Sequence, residues 1–433
     1  MKETDRIARR RRSIRRKMKY QKMKYFIIFV GAALLLAVGV FVWFLTGGFV
    51  RAVTGQIADE DYREGNRKYY RREQYFPYKR DVLSEIPETD ENMGLDLRGG
   101  DASALDFTEE TELLSRVTFD SSTVWPEKLP KTFSPDDIME NGKNPGLGIR
   151  ALHEKGIIGE GVSIAIIDQA LNPEHPEYAD NLMSYELLHC SDQAAQMHGS
   201  AVTSLAVGKT CGVAPGAKVY YIASTFGSHR IGGMKMDLNY MADSIDRVLE
   251  INELLPESQK IRVISISRGF SSEKGADEVR KAIERAKEEG VFVITTSTEA
   301  NYGFVLAGLG KEQTTDPDDV SVYGPGHFWS EAFYSGSTQN ASSVLLVPMD
   351  ARTYASWYDP EGYEFASSGG LSWSVLWLAG MYALCLQVDR ELTPEEFIRT
   401  AFDTGTVQTV EYDKREYKLG TIIDPAALVN ALP

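Results

Sequence analysis

The stretch "GVSIAIIDQALNPEHPEY", Gly161 to Tyr178, carries an unbroken apolar run into a carboxylate, Asp168, and then into a proline-broken loop. Its core, "VSIAII" (162–167), does not alternate with polar residues, as a strand buried on both faces would not. Four similar runs follow: "KVYYIA" (218–223), "RVISIS" (262–267), "VFVIT" (291–295) and "SVLLV" (343–347). Helical patterns lie between them. "MDLNYMADSIDRVLEINELL" (236–255) precedes the third run, and "GADEVRKAIERAKEEG" (275–290) precedes the fourth and ends on a glycine suited to a helix C-terminus. This alternation predicts an α/β fold with a mostly parallel central sheet flanked by helices. In such sheets functional groups collect at the carboxyl ends of the strands, which is where Asp168 stands.

Charge divides the chain. Residues 1–24 hold twelve Lys/Arg against Glu3 and Asp5, a net +10, so the remainder carries −25 to reach the overall −15. Between them "YFIIFVGAALLLAVGVFVWFLTGGFV", Tyr25 to Val50, runs twenty-six residues without a charge. About 20 apolar residues cross a bilayer, and a cleavable signal has a shorter core of about 7–15. The run therefore predicts one transmembrane helix. The basic arm predicts a cytoplasmic N-terminus and an extracytoplasmic body. That arm fits topology and lipid headgroups better than nucleic acid. The expected organisation is a basic arm (1–24), the membrane helix (25–50), a charge- and tyrosine-rich stalk with the segment that follows it (51–143), and the α/β domain (144–433). Three cysteines are too few for a disulfide scaffold. Cys190 and Cys211 could pair outside the cell, and Cys385 reads as core. No spacing suggests a metal site, and no cofactor is expected.

Three residues then gain weight together. His198 opens the small-residue helix "HGSAVTSLAVG", and Ser372 stands at the entry to the apolar helix within "SSGGLSWSVLWLAGMYALCL" (367–386). A serine nucleophile needs a base for its proton and a carboxylate to hold that base. The order Asp168, His198, Ser372 follows one of the known chain orders for such a triad.

In this order the chain resembles the subtilisin-like serine peptidases over roughly residues 140–433. The Asp168 block, "HGSAVTSLAVG" with "CGVAPGAKVYYIAS", "VISISRGF", and "GGLSWSVLWLAGMYAL" resemble four family blocks in register, and "GTIIDPAALVNAL" resembles the terminal segment. Aligning Ala379–Gly380 puts Ser372 on the nucleophile; Ser374 is the poorer choice. The resemblance implies peptide-bond hydrolysis through an acyl-enzyme, with a polypeptide substrate lying along an edge near "STFGSHRIGG" (224–233) and Ser267, Arg268 and Gly269. Arg268 could favour acidic side chains, though an arginine so placed more often faces solvent or pairs with a neighbour.

The departures are specific. Leu371, Trp373 and Leu376 replace the usual Thr, Met and Pro, and Ala201 replaces a second histidine. The oxyanion asparagine falls on Glu299, leaving Asn301 or Thr298 as donors. Losing one such donor costs roughly 2.7–4 kcal/mol. Only "GKTC" (208–211) separates the His helix from the Gly-Val-Ala-Pro block, so no calcium loop is expected there, and residues 51–140 do not read as the inhibitory propeptide. The alternative to a peptidase is a membrane-tethered pseudopeptidase that binds peptide or protein without turnover.

Overall fold

The computed structural model describes residues 82–90, 94–190, 194–230, 233–336 and 343–433. The chain forms two units, residues 1–57 with 229–231 and residues 58–228 with 232–433, and all that follows concerns the second. The basic arm, the expected membrane helix and most of the stalk lie outside the described residues.

The central sheet holds β1 (Ser163–Asp168), β2 (Leu182–Leu187), β3 (Lys218–Ala223), β4 (Ile261–Ile266) and β5 (Phe292–Ile294). They stand in the order β2-β3-β1-β4-β5, and every pairing is parallel. β1 is buried along its whole length because helices cover both faces. On one face, α1 (Met197–Val207) packs beside the core; on the other, α2 (Asn239–Leu254) and α3 (Ala276–Glu288) cover Ala165, Ile167 and Ile264. A short helix, α4 (Thr298–Tyr302), follows β5. The apolar helix α5 (Leu371–Val388) runs through the larger core, with Trp373 to Leu386 all buried. It is the one helix among the described residues long and apolar enough to cross a membrane, and most of it is buried inside the protein.

β2 escaped the sequence reading because "LMSYEL" is a half-exposed edge strand rather than a continuous apolar run. The fifth expected strand does not enter the central sheet. Val344–Pro348 sits in a second sheet between Val305–Gly310 and Arg415–Ile422, parallel to both. Val305–Gly310 is "VLAGLG", whose glycines weaken any strand signal. Gly308 is required there, because a Cβ would lie 2.2 Å from Met349 Sδ.

A third sheet changes the expected organisation. Leu95–Asp96 and Val117–Asp120 pair with Tyr363–Ala366 and Arg352–Ala355. The boundary drawn at 143/144 thus cuts through a shared sheet: Phe119 lies opposite Phe365 and Asp120 opposite Glu364. Short apolar pieces that cannot bury themselves alone complete the strand leading to α5.

The cysteine expectation also needs correction. All three cysteines are buried thiols outside any disulfide, so Cys190 and Cys211 do not pair, while Cys385 lies in the core. Cys211 Sγ is instead engaged with the Glu177 carboxylate at 3.4 Å and the Ser204 carbonyl at 3.5 Å. Glu177 also accepts from Thr210 N–H at 3.0 Å and its hydroxyl at 2.7 Å, and from the Tyr363 hydroxyl at 2.6 Å. One buried carboxylate therefore closes the short 208–211 loop.

Candidate active site

Asp168 stands at the carboxyl end of β1 and is 5% exposed. Its carboxylate is fixed from below by the Gln169 N–H, which donates to Oδ1 at 2.8 Å. The loop beyond it is held to α1 by Gln196 N–H donating to the Ala170 carbonyl at 2.8 Å, and to β3 by the Tyr221 hydroxyl donating to the Gln169 carbonyl. This brings His198, in the first turn of α1, beside Asp168. The Nδ1–Oδ1 distance is 2.6 Å.

The approach of α1 depends on Gly199. A Cβ there would lie 2.3 Å from the Gln169 carbonyl and 2.6 Å from the Tyr221 hydroxyl. We expect Gly199→Ala to cost about 1–3 kcal/mol through overpacking, read as a lower urea midpoint with an unchanged m-value.

The other side of His198 meets α5. Ser372 Oγ is 2.9 Å from His198 Nε2, in the first turn of that helix behind the Gly370 N-cap. Asp168, His198 and Ser372 thus form one continuous hydrogen-bonded chain. Burial pushes the His198 imidazole down, but the charge of Asp168 and its hydrogen bond outweigh this and hold it above its ordinary value. At the start of α5 the Leu371 and Ser372 N–H groups precede the first intrahelical acceptor, while the Trp373 N–H already donates to the Gly370 carbonyl at 2.9 Å; this end carries the positive pole of the helix dipole. Such an end can stabilise an oxyanion next to Ser372.

The groove residues lie alongside. The Ser267 carbonyl is 3.4 Å from Ser372 Oγ. Gly269 faces α4's approach, where an added Cβ would lie 2.6 Å from Thr296 Oγ1 and 2.8 Å from Ser297 Oγ. Of the 224–233 segment, Gly227–Arg230 is a short strand, and 231–232 lie outside the described residues.

Both oxyanion candidates are engaged elsewhere, which corrects that expectation. Thr298 is 2% exposed; its hydroxyl donates to the Phe304 carbonyl at 2.7 Å and accepts from Leu306 N–H at 3.1 Å. The Asn301 amide donates back to the Ser297 carbonyl at 3.1 Å, and its own backbone carbonyl accepts from Lys287 at 2.8 Å. Residues 298–302 have become a helix, and Glu299 is an exposed first-turn acid, where the helix dipole favours it. Spacing cannot reveal such a change, because five residues without an apolar period give no helix signal.

Two further groups shape the site. Asp350 is 5% exposed and accepts from Gly369 N–H and His327 N–H, each at 2.7 Å. It pins the loop just before Ser372 to the helix His327–Tyr334. Burial pushes it up to about 6 against those two donors. Its signal was present in "SVLLVPMD", an apolar strand closed by an aspartate like that of Asp168. Trp373 packs its ring 5.7 Å from that of His198 and 5.6 Å from that of Tyr354, walling the imidazole from the core side. Ser374, by contrast, is fully buried within α5 and its hydroxyl has no partner among the described residues.

Residues 159–417, more than half of the chain, match the family model of the subtilase family. The chain belongs to the subtilase family. Within it, the chain is 26% identical over 153 residues to the subtilisin-like protease PopC of Myxococcus xanthus, covering 33% of this chain and 31% of PopC. The match therefore spans about a third of that relative's length. Similar solved structures include fervidolysin from Fervidobacterium pennivorans, at 15% identity and TM-score 0.48 over 71% of this chain and 49% of that one. Another is a protease from Pseudoalteromonas arctica, at 18% identity and TM-score 0.47 over 69% of this chain and 98% of that one. The triad geometry sits inside the stretch that defines this subtilase.

Proposed function

We propose that this subtilase is a serine endopeptidase acting on polypeptide, tethered by residues 25–50 with its catalytic body outside the membrane. The observation that carries the reading is the unbroken Asp168–His198–Ser372 chain at 2.6 and 2.9 Å. Ser372 Oγ attacks the scissile carbonyl while His198 Nε2 takes its proton. His198 then returns that proton to the leaving amine, and Asp168 holds the imidazole in the tautomer both steps need. Water reverses the sequence to release the acyl group. The Ser372 N–H at the start of α5 is one oxyanion donor. The uncharged run 25–50 behind a +10 arm supports the anchor and its orientation, with lipid headgroups as the arm's partner.

The test uses a charged, membrane-impermeant fluorophosphonate probe on right-side-out vesicles carrying the full-length chain. Covalent labelling is expected in the wild type and in Ser374→Ala, and none in Ser372→Ala. Absence of labelling from folded protein, even after permeabilisation, would overturn the peptidase reading and leave a binding module. Labelling only after permeabilisation would overturn the orientation.

A further inference from the structure

Residues 25–433 hold 60 Asp/Glu against 35 Lys/Arg, so carboxylate partners for an arginine are abundant. Several arginines use them. Arg98 takes Asp96 and Glu364, Arg247 takes Glu186 and Glu250, and Arg285 takes Asp246. Arg262, lacking an acid, spends its guanidinium on three backbone carbonyls. Arg268 does neither. Among the described residues its guanidinium makes no ion pair and no hydrogen bond, and its Nε is sealed from water without an acceptor. The residue as a whole is only part-buried, so its terminal nitrogens remain open to solvent. Leaving a buried donor unmade is unfavourable, and fold stability does not explain keeping it.

The place is informative. The carbonyl of the preceding residue, Ser267, lies 3.4 Å from the nucleophile Ser372 Oγ. On the other side Gly269 is packed tightly against the segment before α4, where a Cβ would lie 2.6 Å from Thr296 Oγ1 and 2.8 Å from Ser297 Oγ. The residue with the unpaired guanidinium is thus the immediate chain neighbour of the one whose carbonyl meets Ser372. A carboxylate can accept from the two terminal nitrogens of a guanidinium together, which neutralises a charge that no acid among the described residues meets.

We infer that Arg268 selects an acidic side chain, aspartate or glutamate, close to the scissile bond of the polypeptide. This rests on the peptidase reading only for turnover; recognition is separable from it. A carboxylate on a peptide could also be its C-terminus, so the test peptides are blocked at both ends.

The experiment measures binding of fluorescent, end-blocked peptide pairs to full-length Ser372→Ala protein by anisotropy. Each pair differs only by Glu against Gln, placed in turn at each position of the peptide. At one position the acidic peptide is expected to bind about tenfold more tightly at low salt, with the preference falling as salt rises. Adding Arg268→Gln should bring the two members within about twofold, and Arg268→Glu should favour Lys in that position. Fluorophosphonate labelling of the wild type is the separate readout of turnover. An acidic preference that survives Arg268→Gln overturns the inference, as does its absence at every position. Loss of labelling in wild type would sink turnover and leave the binding result standing.

Discussion

Asp168→Asn is expected to lower kcat by about 10⁴-fold while leaving the fold intact. The carboxylate accepts the His198 Nδ1–H at 2.6 Å, which leaves Nε2 unprotonated and facing Ser372 Oγ at 2.9 Å. An asparagine amide that donates to Nδ1 forces the proton onto Nε2, where it cannot accept the serine proton. The pH profile gives a second readout. His198 must be neutral to act as base, and Asp168 holds its pKa above the usual 6.5 against the opposing effect of burial. Wild-type activity should therefore rise with pH through a midpoint above 6.5, and in Asp168→Asn the residual activity should rise at lower pH, because burial then acts alone. Stability follows the same sign. A raised histidine pKa contributes stability that is complete below the unfolded value and is lost as pH rises through the folded one. The stability deficit of Asp168→Asn should accordingly be largest in mild acid and shrink at alkaline pH. A kcat within about tenfold of wild type would remove Asp168 from the mechanism.

Arg98→Ala is expected to destabilise the protein by about 3–5 kcal/mol at neutral pH. Arg98 bonds Glu364 at 3.0 Å, and the Glu364 side chain is 0% exposed. Burial pushes the Glu364 carboxyl above its ordinary range, and Arg98 and the Ser356 hydroxyl only partly restrain it. Removing Arg98 leaves a charge in the core with one remaining hydroxyl donor, at 3.1 Å. Because a carboxyl raised in the fold contributes stability below its unfolded pKa and loses it as pH rises through the folded one, the deficit should be greatest at neutral and alkaline pH. It should narrow in acid, where Glu364 is protonated. The double variant Arg98→Met, Glu364→Leu should recover most of the loss, since no charge then needs a partner. Urea midpoints at two pH values decide this. An Arg98→Ala loss below about 1 kcal/mol, independent of pH, would show that the pair carries little. The strand concerned, Tyr363–Ala366, runs directly into the loop before Ser372, so this pair connects the N-terminal segment to that loop.

Several parts of this architecture were legible because they are local. "VSIAII", "KVYYIA" and "RVISIS" are strands covered on both faces, and continuous apolar sequence is what such strands require. The helices at 239–254 and 276–288 were legible for the same reason, from periodicity and, in the second, a closing glycine. The half-exposed strand Leu182–Leu187 and the glycine-bearing strand Val305–Gly310 were not, since their burial comes from neighbours far away in sequence.

The sequence by itself determined the residue types, their order and the elements they end or begin: an aspartate closing a buried strand, and a histidine and a serine each opening a small-residue or apolar helix. Those are covalent and local facts, set by which side chains follow which. Tertiary structure decided what each polar group can still do. It committed Thr298 and Asn301 to the turns around α4, put Asp350 beneath the loop before Ser372, paired Arg98 with a buried acid and left the Arg268 guanidinium unpaired. A hydrogen-bonding group is free or committed only once distant chain segments have packed against it, because its partners come from those segments. That is why Asp168, His198 and Ser372 could be picked out in a line of letters, while the donors around them needed three dimensions.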